Sequence, residues 1–255
     1  MVIGLCLGAG MPAVFAQEAP VASLTADQVV QKMVERNEQR AQALQSYRGT
    51  RVYQLEHHGI ANKNAQLVVT MTYRQPGEKK FCIVSESGSQ FLHNRVLRRL
   101  IEAEVEAMQA DHRRRTAMDP DNYEFQWIGL ERIFDRRFYV LEVVPRVKNK
   151  FLFRGRIWVD EQDFAIVRME GEPAKNPSWW TKRNLIQVTY EKIGEFWLPT
   201  RNETNTQVRI FGKSQLTILY QNYEILNGSA AQLTPASGST MRCLEEPAKT
   251  VAARP

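Results

Sequence analysis

The chain has 255 residues, of which 43% are hydrophobic and 24% charged, and its formal net charge is +6 at pH 7. This composition excludes a wholly disordered chain, a collagen-like fibre and a polytopic membrane protein, since only one long apolar run is present. The positive charge is small for this length and is spread among acidic residues, so it does not indicate binding of nucleic acid.

The apolar run lies at the N-terminus, and we interpret residues 1–16 as a secretory signal peptide. The segment has no charged residue, and it is too short for a bilayer crossing, which needs roughly 20 residues. It ends in Val14-Phe15-Ala16, with small side chains at the positions that signal peptidase reads. The usual positively charged n-region is absent, and a buried N-terminal helix is the alternative. Cleavage after Ala16 predicts a periplasmic protein.

The first predicted element after this leader is an amphipathic helix that begins after Thr25 and ends near Ser46. Thr25 and Gln28 can form a capping box, and Asp27 suits the positive end of the helix dipole. Apolar residues then recur every three or four positions and form one stripe, which predicts that the helix lies against another element. The stripe contains Val29, Val30, Met33, Ala41 and Leu44.

Strands follow this helix, with one interruption. Alternation with period two predicts strands near residues 51–56, 67–73 and 80–84. The period then changes, and residues 93–115 are predicted to form a second amphipathic helix. Beyond it the pattern is almost wholly that of short strands separated by turns. These strands are predicted near residues 123–128, 138–144, 151–159, 164–171, 183–192, 195–202, 207–211 and 215–225.

The order of the elements predicts an α+β fold. Closely spaced antiparallel strands favour one long meandering sheet over βαβ units, and a sheet of about eleven strands must curl or split. We therefore expect a strongly curved antiparallel sheet, an incomplete β-barrel, with the amphipathic helices packed in its concave face. Residues 17–227 are expected to form this single domain. Residues 228–255, rich in Ala, Ser, Thr and Pro, are expected to be a mostly disordered tail.

No catalytic residue, metal ligand or cofactor is assigned. The sequence has no Gly-x-Ser-x-Gly elbow, no His-Glu-x-x-His and no phosphate-binding loop. His57 and His58 are neighbours on a strand, so their side chains point to opposite faces and cannot hold one metal ion. An exported hydrolase is disfavoured because no nucleophile–base pair is recognisable.

Two cysteines remain after the leader, Cys82 and Cys243. An oxidising compartment permits a disulfide between them. Two unpaired thiols, one in a strand and one in the tail, are the alternative.

The inward-facing apolar residues can either fill a core or line a cavity. Most such residues fill a core, but a curved sheet covered by two helices can leave apolar volume that suits acyl chains. The candidate lipid-cavity residues are Leu67, Val69, Met71, Phe81, Ile83, Leu100, Phe125, Trp127, Leu141 and Ile157. Trp179 and Trp180, beside the turn at Pro177, are candidate rim or lid residues, with burial under the sheet edge as the alternative.

Three segments resemble a known family. Residues 148–160 read KNKFLFRGRIWVD, residues 164–168 read FAIVR, and residues 194–199 read GEFWLP. These resemble the LolA/LolB-like superfamily of outer-membrane lipoprotein-sorting proteins. The resemblance covers about residues 25–225, and its motifs mark the geometry of a sheet rather than an active site.

The resemblance implies a curved incomplete barrel with helices as its lid, which shields acyl chains of lipoproteins or lipids on the way to the outer membrane. The implied partners are those acyl chains, inner-membrane donor and outer-membrane acceptor proteins, and a transient contact with a membrane surface, with the carrier a monomer. The arginine that some carriers use to hold the lid closed is not marked by any local motif here. The alternative function is a lipid- or lipoprotein-sensing regulatory module that binds a membrane protein.

Overall fold

The computed structural model of the chain describes residues 24–59, 61–107, 110–175, 181–208, 212–226 and 242–244. The predicted leader, the candidate lid residues Trp179 and Trp180, and most of the predicted tail lie outside the described residues.

The first half of the chain forms one helix, three strands and a run of helical segments. These are α1 (Ala26–Ala43), β1 (Ser46–His58), β2 (Lys63–Arg74), β3 (Glu78–Gly88), α2 (Gln90–Leu92), a π-helical segment (His93–Leu97), α3 (Arg98–Ala107) and α4 (Ala110–Thr116). The second half is built from strands. These are β4 (Tyr123–Ile133), β5 (Arg136–Pro145), β6 (Phe153–Asp160), β7 (Ile166–Pro173), β8 (Thr181–Ile193), β9 (Phe196–Val208), β10 (Gly212–Ile225) and β11 (Arg242–Leu244).

The strands form a single open sheet of eleven strands in the order β11-β3-β2-β1-β10-β9-β8-β7-β6-β5-β4. All neighbouring strands are antiparallel. Pairing of β1 with β10 joins the N-terminal strands to the C-terminal ones, and β11 and β4 are the two terminal strands. This open antiparallel sheet with helices packed on it confirms the predicted fold class of an incomplete barrel.

The start of α1 agrees with the capping residues predicted from the sequence. Thr25 Oγ1 accepts a hydrogen bond from the Gln28 backbone N–H, and the Gln28 side chain accepts one from the Thr25 N–H, which is the predicted capping box. The helix ends at Ala43, a few residues before the predicted end, because Leu44 is already extended and β1 begins at Ser46.

The predicted second helix is divided. It begins at Gln90, three residues early, and passes through the π-helical segment before α3. His93 opens that segment and is fully buried, and its Nε2 lies 2.8 Å from the Ser87 carbonyl oxygen. A polar side chain thus occupies an inward position, which apolar periodicity could not predict.

One prediction near the C-terminus is wrong. Residues 207 and 208 end the long strand β9, so they do not begin a separate strand. Residues 242–244, within the segment expected to be a mostly disordered tail, form β11 and pair with β3. Cys243 lies opposite Cys82 in that pairing, and the two form a disulfide across 161 residues of sequence. Composition could not show this strand, because its partner lies far away in the sequence.

The helices divide the concave face of the sheet between two apolar cores. The first core lies under the helix that contains Leu97 and Ile101, against β1, β2, β3, β9 and β10. The second core lies under α1, against β4, β5, β6 and β7. Strand β8 lies between them in the sheet. A smaller cluster of Phe138, Val140 and Trp158 lies on the opposite, convex face.

Candidate functional site

The candidate lipid-cavity residues are divided between the two cores. The first core holds Leu67, Val69, Met71, Phe81, Ile83 and Leu100. The second core holds Phe125, Leu141 and Ile157. Within these sets, Leu67, Val69, Met71, Phe81, Leu141 and Ile157 are at most 1% exposed. Their side chains therefore serve as packed core in this conformation.

Trp127 has a different environment. It lies on β4, is 38% exposed, and has its ring centroid 5.8 Å from that of Tyr139. It thus lies at the margin of the second core, on the terminal strand of the sheet.

An apolar cavity of about 280 Å³ lies between the C-terminal half of α1 and strands β7, β8 and β9. We call it the inter-core cavity, because it occupies the concave face beside both cores. It is lined by Asn37, Arg40, Ala41, Leu44, Ala165, Ile166, Tyr190, Phe196, Trp197 and Leu198. Its lining is distinct from the candidate lipid-cavity residues. The sequence contains a signal for two of these lining residues. Phe196 and Leu198 alternate along β9, which places both side chains on its inward face.

Tyr190 supplies a hydroxyl to this mostly apolar lining, which also contains the polar side chains of Asn37 and Arg40. Burial raises the pKa of Tyr190 to about 12, so the phenol is neutral at physiological pH. Its hydroxyl lies 3.4 Å from Met169 Sδ, and a thioether is a weak acceptor. The partner of the Tyr190 hydroxyl is thus a weak acceptor.

Arg40 fastens α1 beside the inter-core cavity. Its Nη1 donates to the Asp163 carbonyl oxygen at 2.9 Å, and its Nη2 donates to the Phe164 carbonyl oxygen at 3.3 Å. Asn37 on the preceding turn accepts a further hydrogen bond from Nη2 at 2.7 Å. The end of α1 is thus tied to the turn between β6 and β7 by polar contacts that water can replace.

An ion cluster built around the buried Arg51 ties the second helix to the sheet. Arg51 on β1 is 3% exposed, and its Nη1 lies 2.5 Å from Oε2 of Glu104 on α3. Lys79 on β3 donates to Oε1 of the same carboxylate at 2.6 Å. The rings of Phe81 and Tyr220 lie 5.2 and 4.9 Å from the guanidinium carbon. We call Arg51, Lys79 and Glu104 the Arg51 latch, because they join α3 to β1 and β3.

The latch is ionised. Burial by itself would raise the pKa of Glu104, but Arg51 and Lys79 outweigh it and lower this pKa to about 2. No sequence motif marks Arg51 as a residue that holds a helix down. One signal for the inward position of Arg51 is present in the sequence. Arg51 alternates with Tyr53 and Leu55, which places the arginine on the inward face of β1.

One serine–histidine contact was not visible in the sequence. His57 Nδ1 lies 2.9 Å from Ser214 Oγ on the neighbouring strand, although the two residues are 157 positions apart. Among the described residues, no carboxylate is hydrogen-bonded to His57. The same part of the chain contains no cluster of three or more His, Cys, Asp or Glu side chains that could hold a metal ion.

No helix in the described parts of the chain has the length and apolar character required to span a bilayer.

Comparison with known proteins gives structural likenesses only. No protein-family model and no curated protein matches the chain. A DUF1329 family protein from Desulfovibrio piger is 14% identical with a TM-score of 0.43, over 80% of this chain and 95% of that chain. An outer membrane lipoprotein-sorting protein domain from Vibrio parahaemolyticus is 11% identical with a TM-score of 0.42, over 81% of this chain and 96% of that one.

A LolA superfamily protein from Nitrosomonas europaea is 11% identical with a TM-score of 0.37, over 81% of this chain and 96% of that chain. The Vibrio and Nitrosomonas proteins carry the names of the family that the sequence motifs resemble. With identities and TM-scores this low, none of the three likenesses indicates a function for this chain.

Proposed function

We propose that the protein is a periplasmic carrier that binds acyl chains of lipids or lipoproteins and moves them toward the outer membrane. The observation that carries this proposal is the inter-core cavity, an apolar space on the concave face between α1 and strands β7 to β9. A site for acyl chains needs apolar walls and a way in, and it needs no catalytic residue.

The size of the cavity indicates that α1 moves when cargo binds. Its volume of about 280 Å³ is slightly below the roughly 300–1,000 Å³ typical of small-molecule sites. Each methylene group transferred from water contributes about 0.8 kcal/mol, so a few methylene groups balance the loss of the Arg40 hydrogen bonds. We infer that displacement of the C-terminal end of α1, beyond the buried Val29, Val30 and Met33, enlarges the cavity and that its return expels the cargo.

The Arg51 latch supports the inference that α3 stays in place when α1 moves. α3 is fixed by buried charges, whereas α1 is fixed beside the cavity by Arg40 and its neutral acceptors. Removing one partner of a buried ion pair is costly, because the other charge is left without compensation. We therefore infer that the part that opens is the C-terminal end of α1.

The periplasmic location rests on the predicted signal peptide and on the Cys82–Cys243 disulfide. Structural disulfides persist mainly in oxidising compartments such as the periplasm.

Binding of a fluorescent fatty acid to the purified protein tests this proposal. Ala41 lies on the exposed side of α1 and lines the inter-core cavity, so Ala41→Trp fills the cavity without disturbing either core. Ala43→Trp is the matched control, since Ala43 is also exposed on α1 and does not line the cavity.

We expect the unmodified protein and Ala43→Trp to bind the probe equally, and Ala41→Trp to bind about tenfold more weakly or worse. An unmodified protein that binds no probe contradicts the carrier proposal. An Ala41→Trp variant that binds normally contradicts the assignment of the cavity.

A further inference from the structure

The two edges of the sheet differ in how they are protected. The edge strand β3 is covered by β11, which the Cys82–Cys243 disulfide holds in place. At the other edge β4 pairs with β5, and no described strand covers its outer side. Proteins normally protect such edges, because the unpaired N–H and C=O groups are a template for another strand.

Part of β4 is regular enough to accept a further strand. The pairing of β4 with β5 runs without interruption from Tyr123 to Trp127, and a bulge follows between Trp127 and Gly129. Tyr123, Phe125 and Trp127 share the concave face along this stretch, because side chains alternate along a strand. Tyr123 is buried, Phe125 is half-buried and Trp127 is exposed, so apolar contact area remains for a neighbour.

A groove of about 800 Å³ runs between α1 and this part of β4. The charged residues in its lining are four carboxylates, those of Asp27, Glu35, Glu38 and Glu124, and one guanidinium, that of Arg146. Arg146 is already bonded to Glu124 at 3.0 Å and to the Pro120 carbonyl oxygen at 2.8 Å. The three carboxylates on α1 form no ion pair among the described residues, so the groove is acidic in a protein of net charge +6.

We propose that the outer edge of β4 is a docking site for an extended segment of a partner protein that carries Lys or Arg among apolar residues. Backbone hydrogen bonds to β4 supply register, and apolar side chains of the segment pack beside Phe125 and Trp127. Its basic side chains face the carboxylates of α1. A second copy of this chain fits less well, because pairing through β4 brings two acidic grooves together.

This inference is independent of acyl-chain binding, and peptide binding to the full chain tests it. The probe is a short fluorescent peptide with Thr at every second position and with Lys and Val alternating at the positions between, so that Lys and Val share one face of the extended chain. A second peptide carries Glu in place of Lys, and a third has the basic sequence with N-methylated backbone amides, which cannot pair as a strand.

The matched variants reverse two charges each. Glu35→Lys with Glu38→Lys changes the groove, and Glu78→Lys with Glu195→Lys changes two exposed carboxylates away from it. All four side chains are exposed, so both double variants are expected to fold.

We expect the basic peptide to bind the unmodified protein and the Glu78/Glu195 variant, and to bind the Glu35/Glu38 variant about tenfold or more weakly. The acidic peptide should gain affinity for the Glu35/Glu38 variant, and the N-methylated peptide should fail to bind. Failure of the basic peptide to bind overturns the proposal. Binding of the N-methylated peptide as tight as that of the basic peptide also overturns it, as does equal affinity of the basic peptide for the Glu35/Glu38 variant and the unmodified protein. A stable dimer of the unmodified protein that excludes the peptide overturns it too. Fatty-acid binding measured in parallel separates this result from that of the carrier proposal.

Discussion

The carboxylate of Glu104 lies 2.5 Å from Nη1 of Arg51, and this contact joins α3 to the inward face of β1. Glu104 also accepts a hydrogen bond from Lys79, so one acidic side chain on a helix contacts two basic side chains on the sheet. The cluster lies beside the first core, where removal of Glu104 leaves the charges of Arg51 and Lys79 without their common partner.

Glu104→Gln is therefore expected to lower the free energy of unfolding by roughly 3 kcal/mol. The neutral amide keeps the shape of the side chain but leaves the charges of Arg51 and Lys79 uncompensated. Denaturant-induced unfolding at pH 7 measures the loss. Glu224→Gln is the control, since Glu224 pairs with Arg48 at the exposed surface and its loss should cost less than about 1 kcal/mol. Equal effects of the two substitutions would show that the latch stabilises no more than a surface pair.

The contribution of Glu104 should depend on pH. Its pKa is about 2 in the folded protein against an ordinary value of 4.5, so the folded state binds the proton less tightly than the unfolded state. The stabilisation is then fully present above about pH 4.5 and is lost as the pH falls toward 2. The difference in unfolding free energy between the unmodified protein and Glu104→Gln should be smaller at pH 3 than at pH 7 by about 2 kcal/mol. A difference that does not change with pH would contradict the assigned pKa.

Arg40→Met should loosen α1 beside the inter-core cavity. The substitution keeps the length of the side chain but removes the hydrogen bonds to Asp163 and Phe164, at a cost of about 1–3 kcal/mol. We expect faster amide hydrogen exchange in the last turns of α1 and faster dissociation of a bound fatty acid. Arg36→Met is the control, because the contact shown for the Arg36 side chain is with Gln39 on the same helix. Unchanged exchange and dissociation in Arg40→Met would mean that Arg40 does not control the opening of α1.

Replacing both cysteines by serine should release β11 and lower stability. The disulfide links residues 161 positions apart, and loss of a link of this length costs about 5 kcal/mol in the chain-entropy account. Denaturant unfolding of Cys82→Ser with Cys243→Ser, compared with the unmodified protein under non-reducing conditions, measures this cost. If both proteins unfold at the same denaturant concentration, the link does not stabilise the fold.

Much of the fold follows from contacts close in the sequence. The capping box of Thr25 and Gln28 marks the start of α1, because its two partners are three residues apart. The alternation along β2 places Leu67, Val69 and Met71 inward, and the structure buries all three.

The candidate site depends on contacts that local patterns do not contain. Arg51 and Glu104 are 53 residues apart, and each alone resembles a charged surface residue. The inter-core cavity depends on where α1 crosses β7, β8 and β9, which periodicity does not specify. Residues such as Leu67 and Ile157 were candidates because they face inward, but inward-facing residues line a cavity only where a helix leaves a gap.

Photo-crosslinking with a fatty acid that carries a diazirine on its acyl chain tests the carrier proposal most directly. The account predicts that mass spectrometry of the labelled protein finds adducts on the walls of the inter-core cavity, at Ile166, Tyr190, Phe196 or Leu198. An excess of unlabelled fatty acid should suppress these adducts. Adducts confined to residues elsewhere, or adducts that competition does not suppress, would contradict the claim that this cavity binds acyl chains.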